Sequence, residues 1–211
     1  MFIDKKQYTS LIKNLLTYVP KHGWSMQALE LAANKSKIDP AKARLHFHHE
    51  VSELISAYSE YLDASMSREA KKLSLSAMKI RDRVATCVIL RLKAMDKHKE
   101  AAKQAAAYLA IPTHAALGTK LVAKTVNNIW YESGDTATDF NYYSKRALLS
   151  GVYISTLTYW MNDNSENFEN SVEFLYRRID NVMCIYKVKH QIKDFFGSIF
   201  KNFSDSSGSK Q

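Results

Sequence analysis

Apolar side chains recur at helical spacing along most of the 211 residues, and no segment shows the alternation that is typical of a β-strand. The three prolines, Pro20, Pro40 and Pro112, stand where a helix would begin or end. The pattern therefore predicts an all-α fold of about ten helices. The first nine predicted helices are Lys5–Val19, Ser25–Asn34, Pro40–Phe47, Glu50–Asp63, Arg68–Met95, Lys97–Ala110, Pro112–Glu132, Thr138–Asn162 and Glu166–Tyr186.

The predicted helices divide the chain into one helical domain and a C-terminal extension. The domain covers residues 1–186, with a helix-turn-helix-like part at 1–49 and a longer helical part at 50–186. Residues 187–203 predict a separate amphipathic helix, and the Ser/Gly-rich residues 204–211 predict a disordered tail. Short helices in helix-turn-helix proportions followed by long helices are the layout of TetR-type regulators. A ligand-sensing, DNA-binding transcription regulator is therefore one functional hypothesis.

The distribution of charge does not favour binding to nucleic acid. The whole chain has a formal net charge of +9, but residues 1–63 contribute only +1 and residues 64–133 contribute +8. Phosphate contacts supply much of the affinity for DNA, so a reading module should carry a basic excess. Here the basic excess lies on the middle helices, outside the helix-turn-helix-like part.

The C-terminal extension has the pattern of a helix that lies on a membrane surface. One face would carry only apolar residues and the opposite side is basic, as in interfacial membrane helices. A helix folded back onto the domain core is the alternative. The residues predicted to contact the membrane are Ile192, Phe195, Phe196, Ile199, Phe200 and Phe203. No run of about 18 apolar residues predicts a membrane-spanning helix.

A stripe of charged and aromatic residues lies at the start of the predicted helix Thr138–Asn162. Asp139, Tyr142, Tyr143 and Arg146 stand at i, i+3, i+4 and i+7, which places them on one helical face. Tyrosine and arginine are favoured anchors at protein interfaces, so the stripe indicates a docking surface. The alternative is a helix at the domain boundary whose tyrosines are half buried and whose charges are solvated.

The sequence lacks the motifs of a catalytic or cofactor-binding protein. We find no nucleophile elbow, phosphate loop, paired Cys and His, or dinucleotide fingerprint, so we predict a protein that is not an enzyme. His46, Glu50 and Glu53 would share a helical face, but no second ligand cluster accompanies them. We predict neither a metal site nor a cofactor. Cys87 and Cys184 fall among apolar residues and predict buried thiols.

Five segments together resemble one known family. They read Y-V-P-K-H-G-W at Tyr18–Trp24, V-N-N-I-W-Y-E-S-G-D at Val126–Asp135, T-D-F-N-Y-Y-S-K-R at Thr138–Arg146, D-N-S at Asp163–Ser165 and F-L-Y-R-R-I-D-N-V-M at Phe174–Met183. In this order and spacing they resemble the accessory lipid-binding proteins of ubiquinone biosynthesis, the ninth of the numbered Coq proteins. The resemblance runs from about Tyr8 to Met183. The family pattern has Trp where this chain has Tyr142, which would make a partner contact weaker or differently arranged.

The resemblance implies a TetR-like, homodimeric protein that dimerises through its last long helices. Such a protein binds an isoprenoid quinone or a phospholipid in an apolar cavity and presents the quinone precursor to membrane-associated enzymes, chiefly demethoxyubiquinone hydroxylase. On this basis the lipid would contact Val84, Val88, Leu92, Leu121, Leu149, Val152 and Trp160. The partner would contact Trp130, Asp139, Tyr142, Tyr143 and Arg146. With no signal or transit peptide evident, we expect a cytoplasmic protein, peripheral on the inner face of the cytoplasmic membrane as a bacterial counterpart of a mitochondrial protein.

Overall fold

A computed structural model describes residues 3–135 and 140–182, except for the side chains of residues 140 and 141. Within these ranges the chain forms nine α-helices and no β-strand, which confirms the predicted all-α fold. The helices are α1 (Lys5–His22), α2 (Met26–Lys35), α3 (Pro40–His46), α4 (Val51–Ala70), α5 (Ile80–Asp96), α6 (Lys99–Ala110), α7 (Ala115–Glu132), α8 (Phe140–Met161) and α9 (169–182). Three 3₁₀ helices, Leu75–Ala77, Pro112–His114 and Glu166–Phe168, precede α5, α7 and α9.

Local capping explains why the second and third helices begin where the sequence predicts. The Ser25 hydroxyl accepts a hydrogen bond from the Ala28 amide at 3.2 Å, and the Asp39 carboxylate accepts one from the Ala41 amide at 2.9 Å. Pro40 follows Asp39 at the first helical position, where its missing N–H costs nothing. The predicted end of the first helix at Val19 is wrong, because Pro20 lies inside its last turn. The helix ends instead at His22 and is capped by Gly23, whose φ of 68° is favourable for glycine.

The predicted long helix Arg68–Met95 is also wrong, since the chain leaves the helical path between Ala70 and Ile80. The intervening α4–α5 connector, residues 71–79, contains the 3₁₀ helix Leu75–Ala77 and buries the Leu75 side chain in the core. The Arg83 guanidinium donates to the carbonyl oxygens of Ser76 and Met78 at 2.8 and 2.9 Å. These bonds satisfy backbone groups that a continuous helix would have paired internally.

The N-terminal helices and the longer helices share one continuous apolar core. Leu11, Leu15 and Leu29 are fully buried in the N-terminal part, while Leu92, Ile129 and Trp160 are fully buried in the longer helices. The Trp24 indole N–H donates to the Ala101 carbonyl at 3.0 Å and so joins the loop before α2 to α6. In the described part of the chain, no helix is long and apolar enough to cross a membrane.

The hairpin of α8 and α9 forms the C-terminal end of the described chain. The Asp163 carboxylate accepts hydrogen bonds from the Ser165 and Ser171 amides at 2.9 and 2.8 Å, and it thereby caps the start of α9. The rings of Tyr159 and Phe174 stack at 4.5 Å between their centroids and hold the two helices together. The D-N-S segment therefore fixes the angle at which α9 returns along α8.

Candidate functional site

An apolar cavity of about 310 Å³ lies between α5, α7, α8 and α9. Its size falls at the lower end of the range for ligand cavities, roughly 300–1,000 Å³. Its walls are formed by Ile80, Arg81, Val84, Trp130, Lys145, Leu148, Leu149, Val152, Ile179 and Val182. Ile80 lines this cavity and is nevertheless 43% exposed, so it stands at the mouth.

The two charged residues in the wall are neutralised by neighbours. The Arg81 guanidinium pairs with the Asp180 carboxylate of α9 at 2.8 Å. The Lys145 ammonium pairs with the Asp135 carboxylate at 2.8 Å and lies 5.5 Å from the centroid of the Trp130 ring. Because both cations have acidic partners, the cavity offers a predominantly apolar interior with polar groups at its edge. Such an arrangement suits a hydrophobic ligand with a small polar end.

The structure brings together three of the seven residues predicted to contact lipid. Val84, Leu149 and Val152 line the cavity. Leu121 lies in a separate cavity of about 80 Å³ between α4, α5, α6, α7 and α8. Val88, Leu92 and Trp160 are fully buried in the core outside both cavities. A contact of these four residues with lipid stays a prediction.

Several residues of the cavity wall were not among those predicted to contact lipid. Leu148 precedes Leu149 on α8, and Ile179 and Val182 are three residues apart on α9, so helical spacing was the available signal. Trp130 was predicted on the partner surface, but here it forms part of the cavity wall. Its indole N–H donates to the Lys145 carbonyl at 3.3 Å, which ties α7 to α8 across the cavity.

A buried polar network borders the smaller cavity. The Arg91 guanidinium pairs with the Asp63 carboxylate at 2.7 Å, and both residues are 4% exposed. Asp63 also accepts hydrogen bonds from the Thr125 hydroxyl at 3.0 Å and the Asn128 amide at 3.0 Å. Arg91 donates further to Ser59 and Tyr153. These contacts join α4, α5, α7 and α8, so the network fixes how the cavity-forming helices pack.

The sequence carries a signal of this buried network. Arg91 stands three residues after Val88 and four residues before Met95, within the apolar stripe of α5. A charged residue inside such a stripe indicates a buried ion pair, because an unpaired buried charge is costly. Cys87 of the same helix is a buried thiol, as predicted, and burial raises its pKa to about 11. Cys184 lies outside the described residues.

The predicted docking stripe is only partly exposed. Tyr143 is 72% exposed, whereas the Arg146 side chain is 16% exposed. The Arg146 guanidinium lies 3.4 Å from the Tyr142 ring centroid and donates to the Asn127 side-chain oxygen at 3.0 Å and to Asp135 at 3.3 Å. Arg146 thus braces the start of α8 against the end of α7, and Tyr143 is the described member that is available to a partner.

The hydroxyl of Tyr142 has a local role of its own. It donates to the Asn127 side-chain oxygen at 3.2 Å, the same atom that accepts from Arg146. Tyr142 and Tyr143 meet edge to face, with ring centroids 5.1 Å apart. Asp139, and the membrane-contact residues Ile192, Phe195, Phe196, Ile199, Phe200 and Phe203, lie outside the described residues, as does the tail 204–211.

Comparisons with known proteins identify the relatives of this sequence. Residues 115–186 match the COQ9 family model. The chain is 30% identical over 189 residues to the mitochondrial ubiquinone biosynthesis protein COQ9 of Rattus norvegicus, covering 84% of this chain and 59% of the rat protein. It is 29% identical to the Homo sapiens protein of the same name, covering 84% of this chain and 58% of the human protein. The chain therefore spans somewhat more than half the length of these relatives.

Solved structures show the same fold at low sequence identity. A TetR transcriptional regulator from Nitrosomonas europaea superposes with a TM-score of 0.68 at 18% identity, covering 85% of this chain and 99% of the regulator. A putative TetR-family transcriptional regulator from Rhodococcus sp. superposes with a TM-score of 0.55 at 15% identity, covering 85% and 100%. These matches confirm the TetR-like fold. The resemblance indicated by the sequence is also confirmed: residues 115–186 match the COQ9 family model, and the chain is similar to COQ9 proteins over most of its length.

Proposed function

We propose that the chain is a non-catalytic accessory protein of ubiquinone biosynthesis that holds an isoprenoid quinone precursor in the apolar cavity between α5, α7, α8 and α9. One observation carries the proposal. Seven of the ten wall residues, from Trp130 to Val182, fall within the segment that matches the COQ9 family model. The relatives that share this segment are named ubiquinone biosynthesis proteins.

The chemistry of the cavity suits a polyprenyl chain. Its wall is built from seven aliphatic side chains, one indole and the two paired cations Arg81 and Lys145. Burying apolar ligand surface against it contributes roughly 25 cal/mol per Å². A volume of about 310 Å³ encloses part of a long prenyl tail. The remainder of the tail would stay in the bilayer, so the ligand would be held by the protein and the membrane together. A phospholipid acyl chain is the second ligand of the same chemistry.

Presentation of the bound quinone needs a partner surface close to the cavity. Tyr143 is exposed on α8, two residues before the cavity residue Lys145. We therefore place the contact with demethoxyubiquinone hydroxylase at the start of α8, where Tyr142 and Arg146 hold the backbone in position. The amphipathic segment 187–203 would hold the protein on the inner face of the membrane. Homodimerisation through the last helices completes the proposal.

Organic extraction of the full-length protein, purified from its native cells, tests the proposed function. Mass spectrometry of the extract would quantify prenylated quinones and phospholipids against protein. We expect a quinone precursor in roughly stoichiometric amount. Phospholipid without quinone would show that the protein binds lipid but that its ligand is not a quinone precursor. An extract without either lipid would contradict the proposal.

The competing proposal is a TetR-type transcription regulator, which the shared fold favours. Its recognition helix would be α3, but there the Arg44 guanidinium pairs with Glu30 of α2 and is thus engaged within the protein. Leu45 of the same helix is 70% exposed, and an aliphatic side chain supplies no phosphate contact. Specific duplex binding at physiological salt would support the regulator, and it would count against the accessory role.

A further inference from the structure

The α4–α5 connector and the first residues of α5 form a second surface that is suited to a membrane. Residues 71–81 read K-K-L-S-L-S-A-M-K-I-R, with four basic residues and no acidic one. Leu73 is 42% exposed and Ile80 is 43% exposed, although both are large aliphatic residues. Exposed apolar side chains among lysines are the combination that binds anionic lipid surfaces.

Two of the lysines are available to a partner of opposite charge. Lys72 pairs with Glu69 at 2.8 Å, and Arg81 pairs with Asp180 at 2.8 Å. Lys71 and Lys79 are exposed and form no ion pair with any residue that the structure describes. They stand at the two ends of the connector, on either side of Leu73. The connector therefore exposes two ammonium groups without a described acidic partner and one large aliphatic side chain.

Contacts with the core, with α5 and with the end of α7 anchor the connector. Leu75 is buried, and Arg83 donates to the carbonyl oxygens of Ser76 and Met78. Arg83 also donates to the Ser133 carbonyl at 3.3 Å, so the connector is joined to the end of α7. A Cβ atom on Gly134 would lie 3.3 Å from the Arg83 guanidinium, which is a close approach. Because these contacts fix the backbone of the connector, its exposed residues lose little conformational entropy when they bind a membrane.

The position of the connector relates it to the apolar cavity. Ile80 and Arg81 directly follow the connector and line the cavity, and the exposed fraction of Ile80 places it at the mouth. Val182 of α9 also lines the cavity, and it is the last described residue before the segment that is predicted to contact the membrane. The cavity wall is therefore continuous along the chain with two segments: the connector, which has exposed basic and apolar residues, and residues 187–203, which are predicted to contact the membrane.

We propose that residues 71–80 seat the protein on an anionic phospholipid surface and turn the cavity mouth toward the bilayer. The role of this orientation rests on the proposed lipid cavity. The membrane-binding surface itself is defined by the charge and exposure of its residues. The unpaired lysines contact lipid head groups, and Leu73 and Ile80 enter the acyl boundary. A prenyl tail would then pass between membrane and cavity without crossing water.

Vesicle binding by the full-length protein tests this inference. The probes are phosphatidylcholine vesicles with and without phosphatidylglycerol, and cosedimentation at low ionic strength gives the partition coefficient. Each basic residue near an anionic surface strengthens binding by roughly fivefold, so the double variant Lys71→Gln/Lys79→Gln should bind the anionic vesicles about 25-fold more weakly. Its binding to neutral vesicles should not change. Leu73→Gln should weaken binding to both kinds of vesicle.

The matched control is Lys103→Gln/Lys120→Gln, which removes the same charge from exposed positions on α6 and α7. We expect this pair to bind like the wild type. Equal partitioning of the wild type and the connector variant, or an equal loss in the control pair, would overturn the inference. Connector-dependent binding by a protein without lipid cargo would instead refute the proposed function alone, and a quinone-loaded protein whose binding ignores the connector would refute the inference alone.

Discussion

At the scale of single residues, Asp163 has the most clearly defined energetic role. Burial raises the pKa of this carboxyl, but hydrogen bonds from Ser165 and Ser171 outweigh burial and lower it from 3.8 to about 2. The residue is 7% exposed, so solvent screens these bonds little. Since the folded-state pKa lies below the unfolded one, the carboxylate stabilises the fold above about pH 4. That contribution is lost as the pH falls from about 4 to about 2.

We expect Asp163→Ala to lower the free energy of unfolding at pH 7 by about 2 kcal/mol, because the variant loses the cap of α9. Urea unfolding of wild type and variant at pH 7 and at pH 3 measures this difference. The gap should narrow at pH 3, because there the carboxyl is largely protonated in the unfolded wild type, where its pKa is 3.8, while it stays mostly ionised in the folded protein. Asp96→Ala, at the exposed end of α5, is the control and should change stability by less than about 0.5 kcal/mol. A pH-independent gap would contradict the assigned role.

Tyr143 carries the prediction for the partner surface. Tyr143→Ala should weaken binding to demethoxyubiquinone hydroxylase by roughly tenfold or more, because exposed tyrosines at an interface centre are frequent hot spots. Stability should be unchanged, as the side chain is 72% exposed. Calorimetric titration with the hydroxylase measures the affinity, and Leu45→Ala, on α3 and 70% exposed, serves as the control. Unchanged affinity for Tyr143→Ala would move the contact elsewhere.

Substitution of Arg146 would test the packing of α7 against α8, and not only the contact with a partner. This residue holds the end of α7 to the start of α8 through Asn127 and Asp135. Truncating it would disturb the position of Tyr143 and the packing of the cavity wall together. Loss of hydroxylase binding in an Arg146 variant would therefore not separate direct contact from positioning, whereas Tyr143 does.

At the scale of elements, the outer face of α8 offers a surface for a second helix. Ala147, Gly151 and Ile154 are exposed there, and a Cβ atom on Gly151 would meet nothing within 4 Å in the protomer. We expect Gly151→Arg to convert a homodimer into a monomer, because a long charged side chain would block close approach. Light scattering after size exclusion measures the mass, with Gly151→Ala as the control. Equal masses for Gly151→Arg and the wild type would contradict dimerisation through this face.

The helix boundaries show which structural information is local. Ser25 and the Asp39–Pro40 pair predicted their helix starts correctly, because a cap acts on amides only two or three residues away. The break between α4 and α5 could not be predicted in the same way. It depends on Leu75 entering the core and on Arg83 reaching carbonyl groups of the connector and of Ser133. Those contacts exist only after α7 has packed against α5.

At the scale of the whole molecule, periodicity predicted the apolar stripes but not which cavity or core each residue would join. Val84 and Val88 are one turn apart on α5, yet Val84 lines the larger cavity and Val88 is enclosed in the core. The difference depends on where α8 and α9 leave space between them. The TetR-like fold was indicated by the helix-turn-helix proportions of the first helices and by the family resemblance, although the length of the predicted helix Arg68–Met95 was wrong.

The two cavities give the molecule an internal control. The larger one is apolar and opens beside the connector, whereas the smaller one, about 80 Å³, borders the buried Arg91–Asp63 pair. Val152 lines the first and Val122 lines the second. Enlarging either side chain fills one cavity at a comparable cost of roughly 1–3 kcal/mol in stability. Only the first substitution should remove a prenyl chain.

The most direct test of the central claim is therefore the lipid content of three purified proteins: the wild type, Val152→Trp and Val122→Trp. Organic extraction and mass spectrometry would give the ratio of prenylated quinone to protein for each. We predict a near-stoichiometric ratio for the wild type and Val122→Trp, and at least a tenfold lower ratio for folded Val152→Trp. An equal quinone content in Val152→Trp and the wild type would contradict the assignment of the cavity between α5, α7, α8 and α9 as the lipid site.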